Sequence, residues 1–378
     1  MRLAVYLDLP FQREGDTVYT ERAFVLFVGE LARHVEHLVM PGRLDPSEGR
    51  GERSHYRVPD EIEFVPLPYY RTLAQPAKVG SALVGSLRRF WRVLDGVDAV
   101  WLLGPHPLGV PFALLAAARR KRVFLGVRQD LPRMLRAKHP ARRSIHLMAD
   151  VLEASYRLLA LAFPAIVVGP ELARRYRHAR RVLPISVSLI PAAQVPAAPP
   201  PHSYDGELVA LSVGRLEAEK NPLMLADVLA RLGPAWRLVI CGEGPLAADL
   251  GDRLAELGVD DRAEFRGYVP LDGGLGGLYS GSQALLHVSW TEGVPQILFE
   301  SFAAGLPVVA TAVGGVPEAV GDDALLVPPG DAEAAAEALE RLGSDEELRR
   351  RLVEGGLERV RAHTLEEECR RVAKFMGQ

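Results

Sequence analysis

One pattern constrains this chain more than any other, and it occurs twice. Short runs that are apolar at nearly every residue alternate with segments of helical spacing, and a proline-dense stretch separates the two series. A strand that is apolar on both faces must be covered on both faces. Such strands alternating with helices therefore imply a parallel sheet between helical layers. In the first series Arg2–Leu9, His37–Met40, Ile62–Pro66, Val97–Leu103, Val123–Val127 and Ala165–Val168 read as strands, and Thr20–Arg33 and Pro111–Arg120 as helices. Between Pro191 and Pro201 lie five prolines and four alanines, a density that neither a helix nor a central strand tolerates.

The second series has strands at Leu208–Val213, Arg237–Cys241, Glu264–Arg266, Ala284–Val288 and Pro307–Ala310, with helices at Met224–Leu232 and Gln296–Ala304. Asp331 is placed to cap a helix over Ala332–Leu342, and Ser344 with Glu347 and Thr364 with Glu367 have capping-box spacing. The expectation is an α/β chain of two Rossmann-like β/α/β domains facing across a cleft. The first spans 1–188, the linker 189–204 and the second domain 205–361. A terminal helix over 362–378 is expected to pack back on the first domain. Ligands are expected at the carboxyl ends of the strands.

A chain of 378 residues suits two such domains. Its net charge of −3 hides an asymmetry. Residues 1–190 carry 29 Lys/Arg and 18 Asp/Glu, a net of +11, and residues 191–378 carry 16 and 30, a net of −14. A uniform nucleic-acid binder is not built this way, and two halves meeting different partners are. The two cysteines, Cys241 and Cys369, make neither a disulfide framework nor a four-ligand zinc site, which points to a reducing cytoplasm. The uncharged run Ala99–Ala118 is long enough for a membrane span. Its three prolines, however, make it a buried strand, a turn and a helix start.

Three segments of the second half suggest chemistry. In Ser212–Pro222, Arg215 and Lys220 follow Gly214 at a strand end, before a helix. Two cations beside a helix N-terminus suit a diphosphate, although an arginine and a lysine alone are more often a solvated pair. In Thr291–Ser301, Glu292 sits in a loop after a strand and Glu300 lies among Ile297, Leu298, Phe299 and Phe302. A carboxylate accepts two hydroxyl protons side by side and so suits a sugar diol. One in apolar surroundings must be paired or at a site edge. In Pro307–Glu318, a buried strand runs into Gly314-Gly315, which lets a ligand approach the backbone.

Taken together, SVGRLEAEKNP (212–222), CGEGP (241–245), FRGYVP (265–270), EGVPQILFESFAAGLPVVAT (292–311), VGGVPE (313–318) and LLVPPGD (325–331) resemble the donor domain of the GT-B glycosyltransferases, in particular the retaining family 4. The resemblance is close over about 210–340. It implies a nucleotide-sugar donor such as a UDP- or GDP-sugar, transfer with retention of anomeric configuration, and no metal cofactor. No Asp-x-Asp triplet is present. It implies that Arg215 and Lys220 hold the diphosphate, that Glu292 faces the transferred sugar as the third catalytic residue, and that Glu300 binds the ribose. Gly214, Gly242, Tyr268, Val269, Gly293, Val294, Pro295 and Gln296 complete the implied donor site.

The first half departs from the family pattern. Phe11–Thr17 has a single glycine where a glycine-rich loop is expected, and Ile190-Pro-Ala-Ala replaces an Ile-Pro-Asn-Gly run. His106, Arg128 and Asp130 are the acceptor-side candidates, His106 being equally suited to a structural turn. Arg119–Arg143 holds ten Lys/Arg and one acid, Asp130, interleaved with apolar residues. It reads as a surface for anionic lipid or a phosphorylated acceptor at the inner membrane face, or as a solvated face. It lacks the aromatic residues that stack bases. Two other readings compete. Gly242-x-Gly-x-x-Ala247, with Asp260 and Asp261, weakly fits a nicotinamide-binding fingerprint. A degenerate donor domain would instead be a nucleotide-sugar sensor or scaffold.

Overall fold

The computed structural model describes residues 1–49, 55–70 and 76–378. The chain forms two compact units. The first comprises Met1–Pro132, His146–Leu189 and Leu365–Gln378, and the second Arg133–Ile145 and Ile190–Thr364. The intervening segment Arg133–Ile145 makes its contacts in the second unit, a departure from an unbroken first domain over 1–188. Local sequence pattern carries no record of such long-range contacts.

The first unit is built on a ten-stranded sheet. Its parallel part runs in the order Val182–Ile185, Ala165–Val168, Arg122–Val127, Ala99–Gly104, Arg2–Leu7 and His37–Glu48. Ile62–Leu67 pairs in parallel with His37–Glu48. Leu3, Ala4, Val5 and Tyr6 are fully buried, as an all-apolar central strand requires. Helices cover the sheet, with Phe90 and Phe112 stacked at 3.9 Å between Pro76–Gly96 and Gly109–Ala118. The run Ala99–Ala118 thus divides into a strand, a turn and a helix. No described helix is long and apolar enough to cross a membrane.

One expectation fails in this unit, and one element is new. The helix expected over Thr20–Arg33 occupies only Phe24–Ala32. Ahead of it, Pro10–Glu14 and Thr17–Thr20 form an antiparallel hairpin turned at Gly15, whose φ is +57°. The hairpin buries little besides Phe11, Val18 and Thr20, so its sequence lacks a strong alternating signal. The chain's last helix, Leu365–Gly377, packs on Phe24–Ala32, and Cys369 Sγ lies 3.4 Å from the Phe27 carbonyl.

The second unit holds a six-stranded, all-parallel sheet. Its order is Ala263–Gly267, Trp236–Cys241, Leu208–Val213, Ala284–His287, Val308–Thr311, Leu325–Val327. The connections leave Leu208–Val213 to one side and return to its other side at Ala284–His287. Those two strands therefore flank the switch point, where ligands bind in open α/β sheets. Asp331 caps Ala332–Ser344 by accepting from Ala334 N at 2.9 Å. The next cap differs from expectation. Asp345 accepts from Leu348 N at 2.9 Å, while Ser344 ends the preceding helix and donates to Glu340 O at 2.9 Å. Asp345 offers a carboxylate one residue closer to the new helix and wins the position.

Candidate functional site

The carboxyl ends of the six strands in the second unit carry the segments singled out above. Their turns are tied in sequence. Gly214 N donates to Cys241 O at 2.9 Å, and Gly242 N donates to Gly267 O at 2.7 Å. A Cβ on Gly242, at φ +153°, would stand 1.7 Å from Gly214 O, and one on Gly244 would stand 2.3 Å from Leu216 O. Both glycines serve to pack one loop on another. That use accounts for the spacing that otherwise suggests a dinucleotide fingerprint.

Arg215 and Lys220 both face this end of the sheet and line a shallow depression with Gly214, Pro222, His287 and Ser289. Each cation already has a carboxylate. Arg215 pairs with Glu217 and, at 2.9 Å, with Glu219 Oε1. Lys138, from the Arg133–Ile145 segment, reaches Glu217 at 2.7 Å. Burial would raise the Glu217 pKa, but Glu219, Lys138 and Arg215 outweigh it and hold it at about 2. Glu219 is buried and its Oε2 has no hydrogen-bond partner.

Lys220 Nζ lies 2.5 Å from Glu292 Oε1. Ser289 Oγ donates to the same oxygen at 2.6 Å, and His287 Nε2 stands 2.9 Å away. Glu292 is buried, which alone would raise its pKa. The Lys220 charge and His287 reverse that and hold the carboxyl well below its ordinary range. Glu292 is thus a fixed anion after the strand Ala284–His287. Its loop is pinned by glycines. A Cβ on Gly314, at φ +55°, would meet Glu292 O at 1.9 Å, and one on Gly315 would meet Gly293 O at 2.5 Å. Gly315 N donates to Gly293 O at 3.0 Å.

Gly293 and Val294 lead to Pro295, which precedes the helix Gln296–Ala303 in extended conformation. The first N–H groups of a helix have no partner inside it, so Gln296 opens a set of donors beside Glu292. Glu300 lies on this helix, 8% exposed, and accepts from Tyr279 OH at 2.8 Å. Burial raises its pKa, opposed by that hydrogen bond. Tyr268 and Val269 follow Gly267, itself at φ +62°, and Tyr268 is 40% exposed. His287, Ser289, Tyr279, Glu217, Glu219 and Lys138 were not anticipated. A histidine closing an otherwise apolar strand was the one local signal for His287.

The acceptor-side candidates lie apart from these residues in sequence and belong to the first unit. His106 joins a buried cluster at the carboxyl ends of Arg2–Leu7 and Ala99–Gly104. Its Nε2 stands 2.8 Å from Asp8 Oδ2, and its Nδ1 accepts from Leu108 N at 3.2 Å. Asp8 also takes two bonds from Arg43, at 2.8 and 3.0 Å, and hydroxyls from Tyr6 and Tyr70 at 2.9 and 3.1 Å. Burial would raise the Asp8 pKa, but His106 and Arg43 hold it well below the carboxylate range. Arg128 lies 4.7 Å over the Phe24 ring, and burial, then Arg22, lowers its pKa to about 10. Asp130 pairs with Arg175. The basic stretch is dispersed. Arg119 pairs with Asp95, Arg122 bonds Met376 O, and Lys138 is committed to Glu217.

Comparison with known proteins is consistent with this geometry. Residues 198–359 match the family described as glycosyl transferases group 1. The chain is similar to the exopolysaccharide phosphotransferase of Streptomyces coelicolor, 41% identical over 120 residues, covering 31% of this chain but 12% of that protein. It is also similar to the 2-deoxystreptamine glucosyltransferase of Streptomyces kanamyceticus, 28% identical over 282 residues, 68% of this chain and 70% of that one. Among solved structures, HepE of Anabaena in complex with UDP superposes with a TM-score of 0.71 at 16% identity, covering all of both chains. The fold is that of the GT-B glycosyltransferases.

Proposed function

We propose, from the match of residues 198–359 to the family described as glycosyl transferases group 1, that this chain is a retaining glycosyltransferase of the family 4 type. It would move a sugar from a nucleoside-diphosphate donor to a saccharide, lipid-linked or small-molecule acceptor. The observation that carries the proposal is the pairing of Lys220 with a buried, ionised Glu292 beside Arg215, at the switch point of a parallel sheet.

In this reading the diphosphate displaces the carboxylates now held by Arg215 and Lys220. Arg215 offers two parallel N–H bonds and Lys220 a point charge. As the glycosidic bond to the leaving phosphate breaks, negative charge grows on the diphosphate and positive charge on the anomeric carbon. The two cations stabilise the first, and the developing cation lies near Glu292. The acceptor hydroxyl attacks from the face the diphosphate leaves. Attack on that face retains the configuration, and the hydroxyl proton passes to a phosphate oxygen of the leaving diphosphate. Glu300, with its neighbour Tyr279, accepts from the ribose hydroxyls. The cationic charge on the leaving group comes from side chains, so the reading calls for no metal. The glucosyltransferase named above and the UDP complex of HepE support a nucleotide-sugar donor.

A thermal-shift series with UDP, GDP and ADP and their glucose or mannose conjugates tests this. One nucleotide should raise the melting temperature with a logarithmic dependence on concentration, and its sugar conjugate should be turned over with an acceptor. No shift with any of them overturns the proposal.

A further inference from the structure

At the carboxyl end of the first unit's sheet, one charged side chain is left without a counter-charge. The adjacent parallel strands Arg122–Val127, Ala99–Gly104 and Arg2–Leu7 end beside one another, and the loops after them carry Arg128, His106 and Asp8. His106 and Asp8 are settled within the protein. Asp8 accepts from Arg43, Tyr6 and Tyr70 and holds His106, whose second ring nitrogen takes the Leu108 N–H. Arg128 differs. Its backbone N donates to Gly104 O at 3.2 Å, which ties the loop to the neighbouring strand end. Its half-buried guanidinium lies 4.7 Å over the ring of Phe24, the first residue of the helix Phe24–Ala32. Among the described residues, no carboxylate or carbonyl accepts from that guanidinium. Asp130, close by in sequence, is paired with Arg175. The charge that bears on Arg128 is a second cation, Arg22.

An aromatic face offsets only a small part of what a cation loses on leaving water. A guanidinium held this way beside another arginine is disfavoured by its surroundings, and an anion from outside the chain relieves it. The flanking groups favour the same sign. Arg22 is exposed and pairs only loosely with Glu21, at 3.5 Å. The helix that Phe24 begins has no side-chain cap and no acid in its first turn, so its positive end is not neutralised. A fork of parallel N–H groups suits a phosphate or a carboxylate. We propose that Arg128, assisted by Arg22, binds an oxyanion carried by the acceptor, a phosphate or a carboxylate. The acceptor is then a phosphorylated or acidic molecule rather than a neutral sugar. The proposal rests on the glycosyltransferase reading only in assigning that anion to the acceptor.

Melting temperatures of the full chain are measured in sodium chloride, phosphate and acetate at matched ionic strength. Phosphate or acetate should raise the wild-type value with a logarithmic dependence on concentration, and the more effective of the two names the group. Arg128→Met should weaken the apparent affinity by about tenfold or more, the worth of hydrogen bonds to a charged group. Arg128→Lys keeps the charge without the fork and should fall between. The part of the response that depends on Arg128 should persist in Arg215→Gln, which removes a cation of the donor site. In chloride, Arg128→Met should melt no lower than wild type, because no partner within the protein is lost. A clearly lower melting temperature there places the counter-charge in the protein and overturns the proposal. So does the absence of any oxyanion response, or one that Arg128→Met leaves unchanged. UDP, GDP and ADP form the second arm. Nucleotide binding weakened by Arg128→Met assigns the arginine to the donor and also overturns the proposal. If no nucleotide shifts either protein while the oxyanion response follows Arg128, the anion site is upheld and the glycosyltransferase reading falls.

Discussion

Replacing Lys220 by methionine separates what the Lys220–Glu292 pair does for stability from what it does for ligand. Glu292 has 8% of its side chain exposed and Lys220 22%. With Lys220 gone, Ser289 and His287 remain, but the charge that most opposes burial is lost. Breaking a buried pair by removing one partner costs about 3–5 kcal/mol. The residual exposure of Lys220 places this case near about 3 kcal/mol, a urea midpoint lower by roughly 1 M. The sign with pH follows from the depressed Glu292 pKa. In wild type the pair's stabilisation is full above the ordinary glutamate range and is lost as pH falls through the native value. The gap between wild type and Lys220→Met should therefore close in acid. Adding Glu292→Gln leaves a neutral pair, which is often no less stable than the buried ion pair it replaces. The double variant should recover most of the midpoint at neutral pH while nucleotide-dependent thermal shifts stay absent. An unchanged midpoint in the single variant refutes the reasoning. So does a double variant no more stable than the single.

Two further outcomes follow from the same loops. Glu300→Gln should lose sugar transfer in a nucleotide-sugar assay while gaining stability at neutral pH. Its carboxyl pKa is raised by burial, so wild-type stability falls as pH climbs from the unfolded value through the native one, and the variant's advantage should vanish in acid melts. Gly314→Ala places a Cβ 1.9 Å from Glu292 O at φ +55°. It should cost upwards of about 1 kcal/mol in strain and weaken nucleotide binding measured by calorimetry.

Much of the second unit was legible in its sequence because burial is written into period and composition. The runs at Leu208–Val213 and Ala284–Val288 are apolar throughout, and in a parallel sheet that is enough to place them. Gly314-Gly315 reads in sequence as room for a ligand at the backbone, but the structure fills that space with the Glu292 and Gly293 carbonyls. The hairpin over 10–20 was missed because two or three buried side chains leave no period to read. Spacing alone cannot separate Ser344 from Asp345 next door as the cap of the following helix.

The sequence by itself determined that the chain is a twofold succession of buried parallel strands and covering helices. It also put Arg215, Lys220 and Glu292 in the loops after strands and Glu300 on the helix that follows. Those follow from local pattern. Only the tertiary structure decided the partners: Lys220 on Glu292, Arg215 between Glu217 and Glu219, Tyr279 on Glu300, and His106 on Asp8. It also decided that the basic stretch disperses and that Arg128 lies over Phe24. Partners of this kind lie up to about a hundred residues apart. Their energies depend on desolvation and distance, which exist only once the chain has folded.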